Sequence, residues 1–348
     1  MNKRPFIILS TFLLLFSLIE KGQATETYRP ETSVAGFIQL PGSGRQVYNF
    51  NPGWRFFRGD VQGAEAVNFD DRSWNVVSTP HTVELMPAEG SGCRNYQGPA
   101  WYRKHFVLPA ETKGKRVVLH FEAAMGKQIL YLNGKRIQEH LGGYLPFTLD
   151  LTANGVQAGD SCLLAVFTDN SDDKSYPPGK RQYTLDFAYH GGIYRDVWMI
   201  AKSPVAITDA IDSQIVGGGG VFVHFDKISK KSAQVYVNTE VQNDDARSES
   251  VTVETTLTDA DGKVIKRSSG KLSLKPGEKK SIRQQMEVKN PTLWSPDTPY
   301  LYRVQSRLKK GNQSIDGGIT RVGIRLAEFR GKDGFWLNGT PFGQLVGA

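Results

Sequence analysis

The sequence predicts an all-β protein made of two consecutive β-sandwiches. Helical periodicity is almost absent, and short apolar or alternating runs are divided by Gly, Asn, Asp and Pro along most of the chain. Runs of this kind are typical of strands joined by turns. Four glycines at 217–220 separate a first set of strands from a second. Each set is long enough to bury a core of its own.

The first set of strands predicts a β-sandwich or jelly roll of roughly 160 residues. Five runs have strand composition: RKHFVL (103–108), RVVLHF (116–121), QILYL (128–132), CLLAVF (162–167) and DVWMI (196–200). Between the third run and KRIQEH stands Asn133-Gly134. This pair predicts a two-residue hairpin, because a type I′ turn needs positive φ at both central positions.

The second set of strands alternates apolar and polar residues more regularly, from Ser232 to about Arg325. About seven strands in about 95 residues, with a turn at Asp261-Gly262, predict an immunoglobulin-like sandwich. The stretch EFRGKDGFWLNGTPFGQLVGA (328–348) then predicts a strand, an Asn338-Gly339 turn and the start of another strand.

The first 24 residues have the composition of a secretory signal peptide. Lys3 and Arg4 precede the apolar run 6–19, and the small residues at 22–24 offer a cleavage site. The apolar run is too short to cross a bilayer comfortably. The mature chain is therefore expected to be exported, to the periplasm or the extracellular medium, and to begin with an irregular lead (25–46).

Charge and cysteine content exclude several kinds of partner. The formal net charge is +8, but the positive residues are scattered, so neither a nucleic-acid partner nor, after signal cleavage, a membrane partner is expected. Cys93 and Cys162 are the only cysteines. Two cysteines make no disulfide framework or metal site, and either a bridge or two separate buried thiols fits them.

Motifs for nucleophilic, metal and nucleotide chemistry are missing from the sequence. It contains no Gly-x-Ser-x-Gly elbow, no His-Glu-x-x-His and no Cys-x-x-Cys, and its six histidines are dispersed. Hydrolase triads, zinc sites and nucleotide cradles are thus unsupported, and no cofactor or metal is expected.

Two segments combine aromatic residues with amides and short carboxylates, as sugar sites do. They are CRNYQGPAWYRKHF (93–106) and LDFAYHGGIYRDV (185–197). Their aromatic residues fit either a sugar-facing surface or the sandwich core. Asp186 lies in an apolar and aromatic run just before Gly191-Gly192. Burying it without partners would be costly, so it either caps a turn or hydrogen-bonds another group.

Eight motifs together resemble the ordered landmarks of the N-terminal half of glycoside hydrolase family 2. They are WRFFRGD, FDDRSWNVVSTPHT, YQGPAWYRKHF, LNGKRIQEHLGGYLPFTLDLT, HGGIYRDVWMI, LWSPDTPYLY, TRVGIR and FWLNGTPF. Within the family, the sequence is most similar to exported bacterial β-galactosidases. The likeness extends over nearly the whole mature chain.

The resemblance implies a domain order and a chemistry. It implies a sugar-binding jelly roll (47–204), a linker and immunoglobulin-like sandwich (205–327), and the start of a catalytic (β/α)₈ barrel (328–348), with the chain truncated at the barrel entry. Both glutamates of the family, acid/base and nucleophile, would lie in the missing part. Retaining hydrolysis needs two carboxyl groups about 5–5.5 Å apart. This chain alone is therefore expected not to hydrolyse glycosides, although its family is one of O-glycosyl hydrolases.

The resemblance also implies substrate contacts but no catalytic residue within this chain. Asp186 would contact hydroxyl groups of the terminal sugar, Asn95 would offer an amide contact and His190 would line the same loop. The favoured interpretation is the substrate-lining N-terminal portion of a β-galactosidase-like enzyme that acts on terminal β-linked sugars. The alternative is a stand-alone, non-catalytic carbohydrate-binding or surface-interaction module. Either would bind sugars only weakly without the barrel.

Overall fold

The computed structural model describes residues 27–33, 39–86, 95–185 and 189–343. The predicted signal peptide, Cys93, Asp186 and residues 344–348 lie outside these ranges. Nearly all regular structure in the described part is strand, which confirms the all-β prediction. One α-helix, α1 (Ala210–Ser213), and three short 3₁₀ segments (Ala110–Thr112, Gln182–Thr184 and Gly331–Asp333) accompany the strands in that part. None of the helices described there is long and apolar enough to cross a membrane.

In the described ranges, the first sandwich has eleven antiparallel strands in two sheets. The strands are β1 (Glu31–Thr32), β2 (Gln46–Asn49), β3 (Trp54–Arg58), β4 (Asn75–Val77), β5 (Pro99–Val107), β6 (Arg116–Phe121), β7 (Lys127–Leu132), β8 (Lys135–Leu141), β9 (Phe147–Asp150), β10 (Ser161–Asp169) and β11 (Val197–Lys202). One sheet has the order β1-β2-β11-β6-β9 and the other β4-β3-β5-β10-β7-β8. The core between them draws buried side chains from both sheets, among them Leu119, Met199, Tyr102 and Leu164.

The five runs predicted as strands are confirmed as β5, β6, β7, β10 and β11. The predicted hairpin joins β7 to β8, and its central residues have φ of 52° at Asn133 and 82° at Gly134. Cys162 is buried in the sandwich core, and burial raises the pKa of its thiol to about 11. The lead, predicted as irregular, contributes β1, which pairs with β2.

The second sandwich is immunoglobulin-like. Its strands are β12 (Val205–Ile207), β13 (Val221–Asp226), β14 (Ser232–Asn243), β15 (Glu249–Thr258), β16 (Val264–Leu274), β17 (Lys279–Lys289), β18 (Tyr302–Lys310) and β19 (Gln313–Val322). One sheet has the order β12-β14-β13 with β17 on the other edge of β14, and the second is β16-β15-β18-β19. Two strands, β12 and β13, precede Ser232, where the second β pattern was predicted to begin. The half-buried residues of β13 explain why no clear alternation marked it.

A small third sheet follows, of β20 (Ala327–Phe329), β21 (Phe335–Leu337) and β22 (Thr340–Pro341). The turn between β21 and β22 is the predicted Asn338-Gly339, with φ of 54° and 80°. The strand, turn and further strand predicted from residue 328 onward are thus present.

A buried carboxylate connects the two sandwiches. Asp316 on β19 is fully buried and accepts two hydrogen bonds from the guanidinium of Arg45, at 2.7 and 2.8 Å. It also accepts the backbone N–H of Ile207 on β12, at 2.8 Å. Arg45 directly precedes β2 of the first sandwich, and Ile207 ends β12 of the second. The side chain of Asp316 therefore links the first sandwich to two strands of the second, β12 and β19.

Candidate functional site

Four segments of the first sandwich meet at one end of it, around residues 95–98, 170–172, 182–185 and 189–192. Asn170 cross-links the first two of these segments. Asn170 follows β10 directly and is 3% exposed. Its Nδ2 donates to the carbonyl oxygen of Tyr96 at 2.8 Å, and its Oδ1 accepts the N–H of Gly98 at 3.0 Å. A buried amide with both ends satisfied fixes the backbone around it. The loop before β5 is thereby held against the end of β10.

Asn95, predicted as an amide contact for a sugar, is engaged within the protein. Its Nδ2 donates to the carbonyl oxygen of Tyr189 at 2.5 Å, and its Oδ1 accepts a hydrogen bond from Nε2 of Gln182. Both functional groups of this amide therefore hold the chain on either side of residues 186–188. A sugar hydroxyl that reached Asn95 would have to share or displace these bonds.

A carboxylate that the sequence analysis did not single out completes this network. One oxygen of Asp172 accepts Nε2 of Gln97 at 2.8 Å and the N–H of Gln182 at 2.9 Å. The polar run after β10, DNSDD (169–173), was the only sequence signal for this position. Asn170 belongs to the same run, but the roles of Asn170 and Gln182 could not be predicted, because their partners lie far away along the chain.

Asp186 lies outside the described residues, but both of its neighbours in the described chain are anchored. Leu185 is half-buried and ends the 3₁₀ turn at Gln182–Thr184. Tyr189 is 3% exposed, and its hydroxyl donates to the carbonyl oxygen of Lys180 at 3.0 Å. These two anchors are the described residues on either side of 186–188.

The two glycines after His190 are required by close packing. A Cβ on Gly191 would lie 2.7 Å from Nδ2 of Asn170, and one on Gly192 would lie 2.2 Å from the hydroxyl of Tyr102. Gly192 also has φ of 94°, which non-glycine residues rarely adopt. His190 itself is exposed beside this tight turn.

The aromatic residues of the two segments divide between core and surface. Trp101, Tyr102 and Tyr189 are at most 5% exposed and belong to the interior. Tyr194 is half-buried, and its hydroxyl donates to the carbonyl oxygen of Gly143. Three of these four residues are therefore accounted for by packing.

His81 is held in the interior next to this end of the sandwich. Its Nδ1 lies 2.9 Å from the hydroxyl of Tyr102, and its backbone N–H donates to the carbonyl oxygen of Ile193 at 2.8 Å. Burial lowers the pKa of His81 and raises the pKa of Tyr102. The imidazole is therefore neutral at pH 7 and shares a hydrogen bond with the phenol of Tyr102.

Stability is expected to fall as the pH drops from 7 to 5. Burial lowers the pKa of His81, His120 and His140 below 6.5 in the folded protein, so the unfolded chain binds more protons in this range. The free energy of unfolding should decrease by about 1 kcal/mol or more, as measured by urea denaturation. His81→Gln keeps an acceptor for Tyr102 but cannot titrate. An unchanged slope between pH 7 and 5 in this variant would contradict the assignment of His81.

No group of three or more His, Cys, Asp or Glu side chains in the described ranges could hold a metal ion. The described site is a set of amide, carboxylate and hydroxyl groups at the end of a β-sandwich. Groups of this kind recognise hydroxyl-rich ligands by hydrogen bonding.

The fold and the family models that match this chain together define a class, the β-sandwich sugar-binding portion of a glycoside hydrolase. The sequence model for the sugar binding domain of glycosyl hydrolases family 2 matches residues 57–204. A second model, described as glycosyl hydrolases family 2, matches residues 219–325. The chain belongs to glycosyl hydrolases family 2.

Curated relatives include a β-glucuronidase of Formosa agariphila, 32% identical over 86% of this chain and 32% of the relative. A β-galactosidase of Thermoanaerobacter pseudethanolicus is 33% identical over 86% of this chain and 38% of its own length. This chain thus spans about a third of the length of these relatives.

Solved structures show the same fold. A β-glucuronidase from glycoside hydrolase family 2 is 32% identical, with a TM-score of 0.77 over 86% of this chain and 32% of that structure. The β-glucuronidase of Bacteroides uniformis is 30% identical, with a TM-score of 0.75 over 86% of this chain and 34% of its own.

Proposed function

We propose that this chain forms the substrate-lining face of an exported β-glycosidase of family 2. The enzyme would hydrolyse terminal β-linked sugars with retention of configuration. The observation that carries the proposal is that the chain is anchored on both sides of Asp186. Asn95 accepts a hydrogen bond from Gln182 on one side and donates one to the carbonyl oxygen of Tyr189 on the other. A carboxylate between two anchored positions of the chain can distinguish sugar hydroxyl groups by their positions.

In this proposal Asp186, His190 and Asn95 have separate tasks. Asp186 accepts hydrogen bonds from hydroxyl groups of the terminal sugar, and the exposed His190 lines the same loop. Asn95 acts through Tyr189 by keeping the loop in place. A hydrogen bond between a carboxylate and a hydroxyl group is charge-assisted and contributes about 1.5–3 kcal/mol. It raises kcat when it strengthens in the transition state.

The bond-breaking groups would come from elsewhere in the enzyme. Retention requires one carboxyl group as acid/base and a second as nucleophile, about 5–5.5 Å apart. The family resemblance assigns both to a (β/α)₈ barrel, at the C-terminal ends of its strands. The purified 348-residue chain is therefore expected to show no turnover of aryl β-glycosides. Turnover in a preparation free of host glycosidase would contradict this part of the proposal.

The sugar specificity has two candidates. A β-galactoside is favoured by the overall likeness to β-galactosidases, and relatives named β-galactosidase support it. A β-glucuronide is the second candidate, because other relatives of similar identity are named β-glucuronidases. The two candidates can be distinguished with a polypeptide that joins this chain to a family 2 barrel. Its rates of hydrolysis of an aryl β-galactoside and an aryl β-glucuronide are compared.

Asp186→Ala in that joined polypeptide is expected to lower kcat/KM by about 10- to 100-fold, because one charge-assisted hydrogen bond is lost. Asp261→Ala serves as the matched control, since Asp261 is an exposed acid in a turn of the second sandwich. Steady-state kinetics on the preferred aryl glycoside provide the measurement. Unchanged kcat and KM in Asp186→Ala would remove the proposed sugar contact.

The alternative, a stand-alone carbohydrate-binding module, also expects weak sugar binding by the 348-residue chain, because most contacts to the terminal sugar would come from the barrel. Sequencing the DNA beyond codon 348 decides between the two. A continuing or frameshifted barrel favours the substrate-lining proposal, whereas a stop followed by unrelated sequence favours the module.

A further inference from the structure

A groove lies at the β3–β4 edge of the six-stranded sheet, outside the network around Asn95. Its volume is about 430 Å³. The groove is lined by Phe56, Phe57, Arg58, Ser73, Trp74, Asn75 and Val83. The strand β4 is the last strand of this sheet, so the groove opens along an edge rather than into the core. Sites for small ligands have volumes of about 300–1,000 Å³, so one sugar unit fits. We call this feature the Phe57 groove.

One wall of the Phe57 groove is an exposed aromatic ring on a rigid support. Phe57 is 40% exposed, whereas Trp74 is 7% exposed. The two ring centroids are 5.4 Å apart, with 33° between the planes. Trp74 belongs to a buried cluster with Trp101 on the outer face of the sheet. The exposed ring of Phe57 is therefore held in place before any ligand arrives, which reduces the entropy lost on binding.

The rim of the groove carries polar groups that are also fixed in place. Arg58 and Glu84 form an ion pair at 3.2 Å, with side chains that are 49% and 37% exposed. The second oxygen of Glu84 accepts the N–H of Tyr96 at 2.6 Å, and the guanidinium of Arg58 lies 5.3 Å from the Tyr96 ring centroid. One cation and one anion at the rim offer donors and acceptors without net charge. This balance favours a neutral ligand over an acidic one.

The ligand that matches a flat ring flanked by donors and acceptors is a neutral sugar. A pyranose presents an apolar C–H face to an aromatic ring, while its hydroxyl groups can both donate and accept hydrogen bonds at the rim. The exposed side chains of Ser73 and Asn75 add two further hydrogen-bonding groups. A purely apolar ligand would leave the Arg58–Glu84 pair partly desolvated without compensation.

The groove adjoins the turn at 191–192. Val83 lines the groove, and its backbone N–H donates to the carbonyl oxygen of Gly191 at 3.0 Å. The side chain of Val83 also lies against Gly191.

We propose that the Phe57 groove is a second carbohydrate-binding site, which binds one neutral sugar unit of a β-linked oligosaccharide by stacking on Phe57. This site goes beyond the proposed function, because its lining residues are other than Asp186, Asn95 and His190.

The test is a titration of the purified 348-residue chain with two neutral probes, β-1,4-galactotetraose and cellotetraose. Amide NMR shifts of residues 56–58 and 73–75 report binding at the groove. Saturable binding of at least one probe is expected, and Phe57→Ala should weaken it at least about ten-fold. Phe57→Tyr should retain binding because it keeps the ring. Phe329→Ala is the matched control, since Phe329 is 81% exposed on β20, far from β3 in the chain.

Two results would overturn the proposal. One is the absence of saturable binding of either probe by the unaltered chain up to about 50 mM. The other is unchanged affinity in Phe57→Ala. If Phe57→Ala lowers the melting temperature, Phe57→Leu decides, because leucine still covers Trp74 but offers no flat ring.

The test of the Phe57 groove is independent of the test of the proposed function. If Asp186→Ala abolishes probe binding while Phe57→Leu does not, the sugar is bound at the Asp186 loop and the groove proposal is wrong. If Asp186→Ala leaves kcat/KM unchanged in the joined polypeptide, the proposed function loses its sugar contact. Loss of binding in Phe57→Leu would still support the groove.

Discussion

Replacing Asp71 with alanine is expected to lower the free energy of unfolding by about 3–5 kcal/mol, because it leaves a buried cation without its partner. Arg103 on β5 is fully buried, and its Nε donates to Asp71 at 2.8 Å. The same guanidinium donates to the carbonyl oxygens of Ala64, Ala66 and Phe69, so it cannot turn toward solvent without breaking these bonds.

The charge on Asp71 is maintained in the folded protein. Burial alone would raise the pKa of this carboxyl group, but hydrogen bonds with His105 and Arg103 outweigh burial and lower the pKa. Asp71 is therefore ionised at neutral pH and balances Arg103. The pair also fixes the segment 64–71 against β5.

Asp70→Ala is the matched control for this prediction. Asp70 precedes Asp71 in the chain and pairs with Arg72 at 2.7 Å, but both side chains are more than half exposed. Exposed ion pairs contribute only about 0–1 kcal/mol. Urea denaturation at pH 7 should therefore show a large loss for Asp71→Ala and almost none for Asp70→Ala. Equal losses would mean that burial of the Arg103 pair is not what stabilises this region.

Replacing Gly192 with alanine is expected to destabilise the protein by about 3 kcal/mol or more and to displace residues 189–192. The added Cβ would lie 2.2 Å from the hydroxyl of Tyr102 and 3.2 Å from the carbonyl oxygen of His81. Tyr102 is fully buried and hydrogen-bonded to His81, so its ring cannot move aside easily.

Gly159→Ala separates backbone strain from this close contact. Gly159 has φ of 92°, almost the same as the 94° of Gly192, but nothing lies within 4 Å of its Cβ position. The control should cost only about 1–2 kcal/mol, which is the strain of a left-handed backbone. Urea denaturation compares the two variants, and amide NMR shifts report whether residues 189–192 move. Equal destabilisation of both would show that the Tyr102 contact is unimportant.

The strands and turns of both sandwiches were largely predictable from the sequence, because the signals that specify them are local. The Asn133-Gly134 hairpin is an example, since two adjacent residues determine its turn type. The prediction failed for β13, whose residues are all half-buried or exposed and show no clear alternation. β1 was also missed, because two exposed residues carry no pattern.

The candidate site was predictable only in part. Residue types drew attention to Asp186, Asn95 and the glycines after His190. The roles of Asn170 and Gln182 could not be predicted, because their partners Gly98 and Asn95 lie 72 and 87 residues away. The Phe57 groove was missed for the same reason. Phe57 and Trp74 come together only when β4 pairs with β3.

The amino-acid sequence by itself determined the strand-rich class, the positions of the tight turns and the family, since periodicity, turn chemistry and ordered motifs are properties of the linear chain. Only the tertiary structure decided which amides hold Tyr96 and Tyr189, which acid neutralises Arg103 and where a ring stays exposed. These features depend on strand pairing between distant residues, and pairing is settled by packing of the whole sandwich rather than by any local signal.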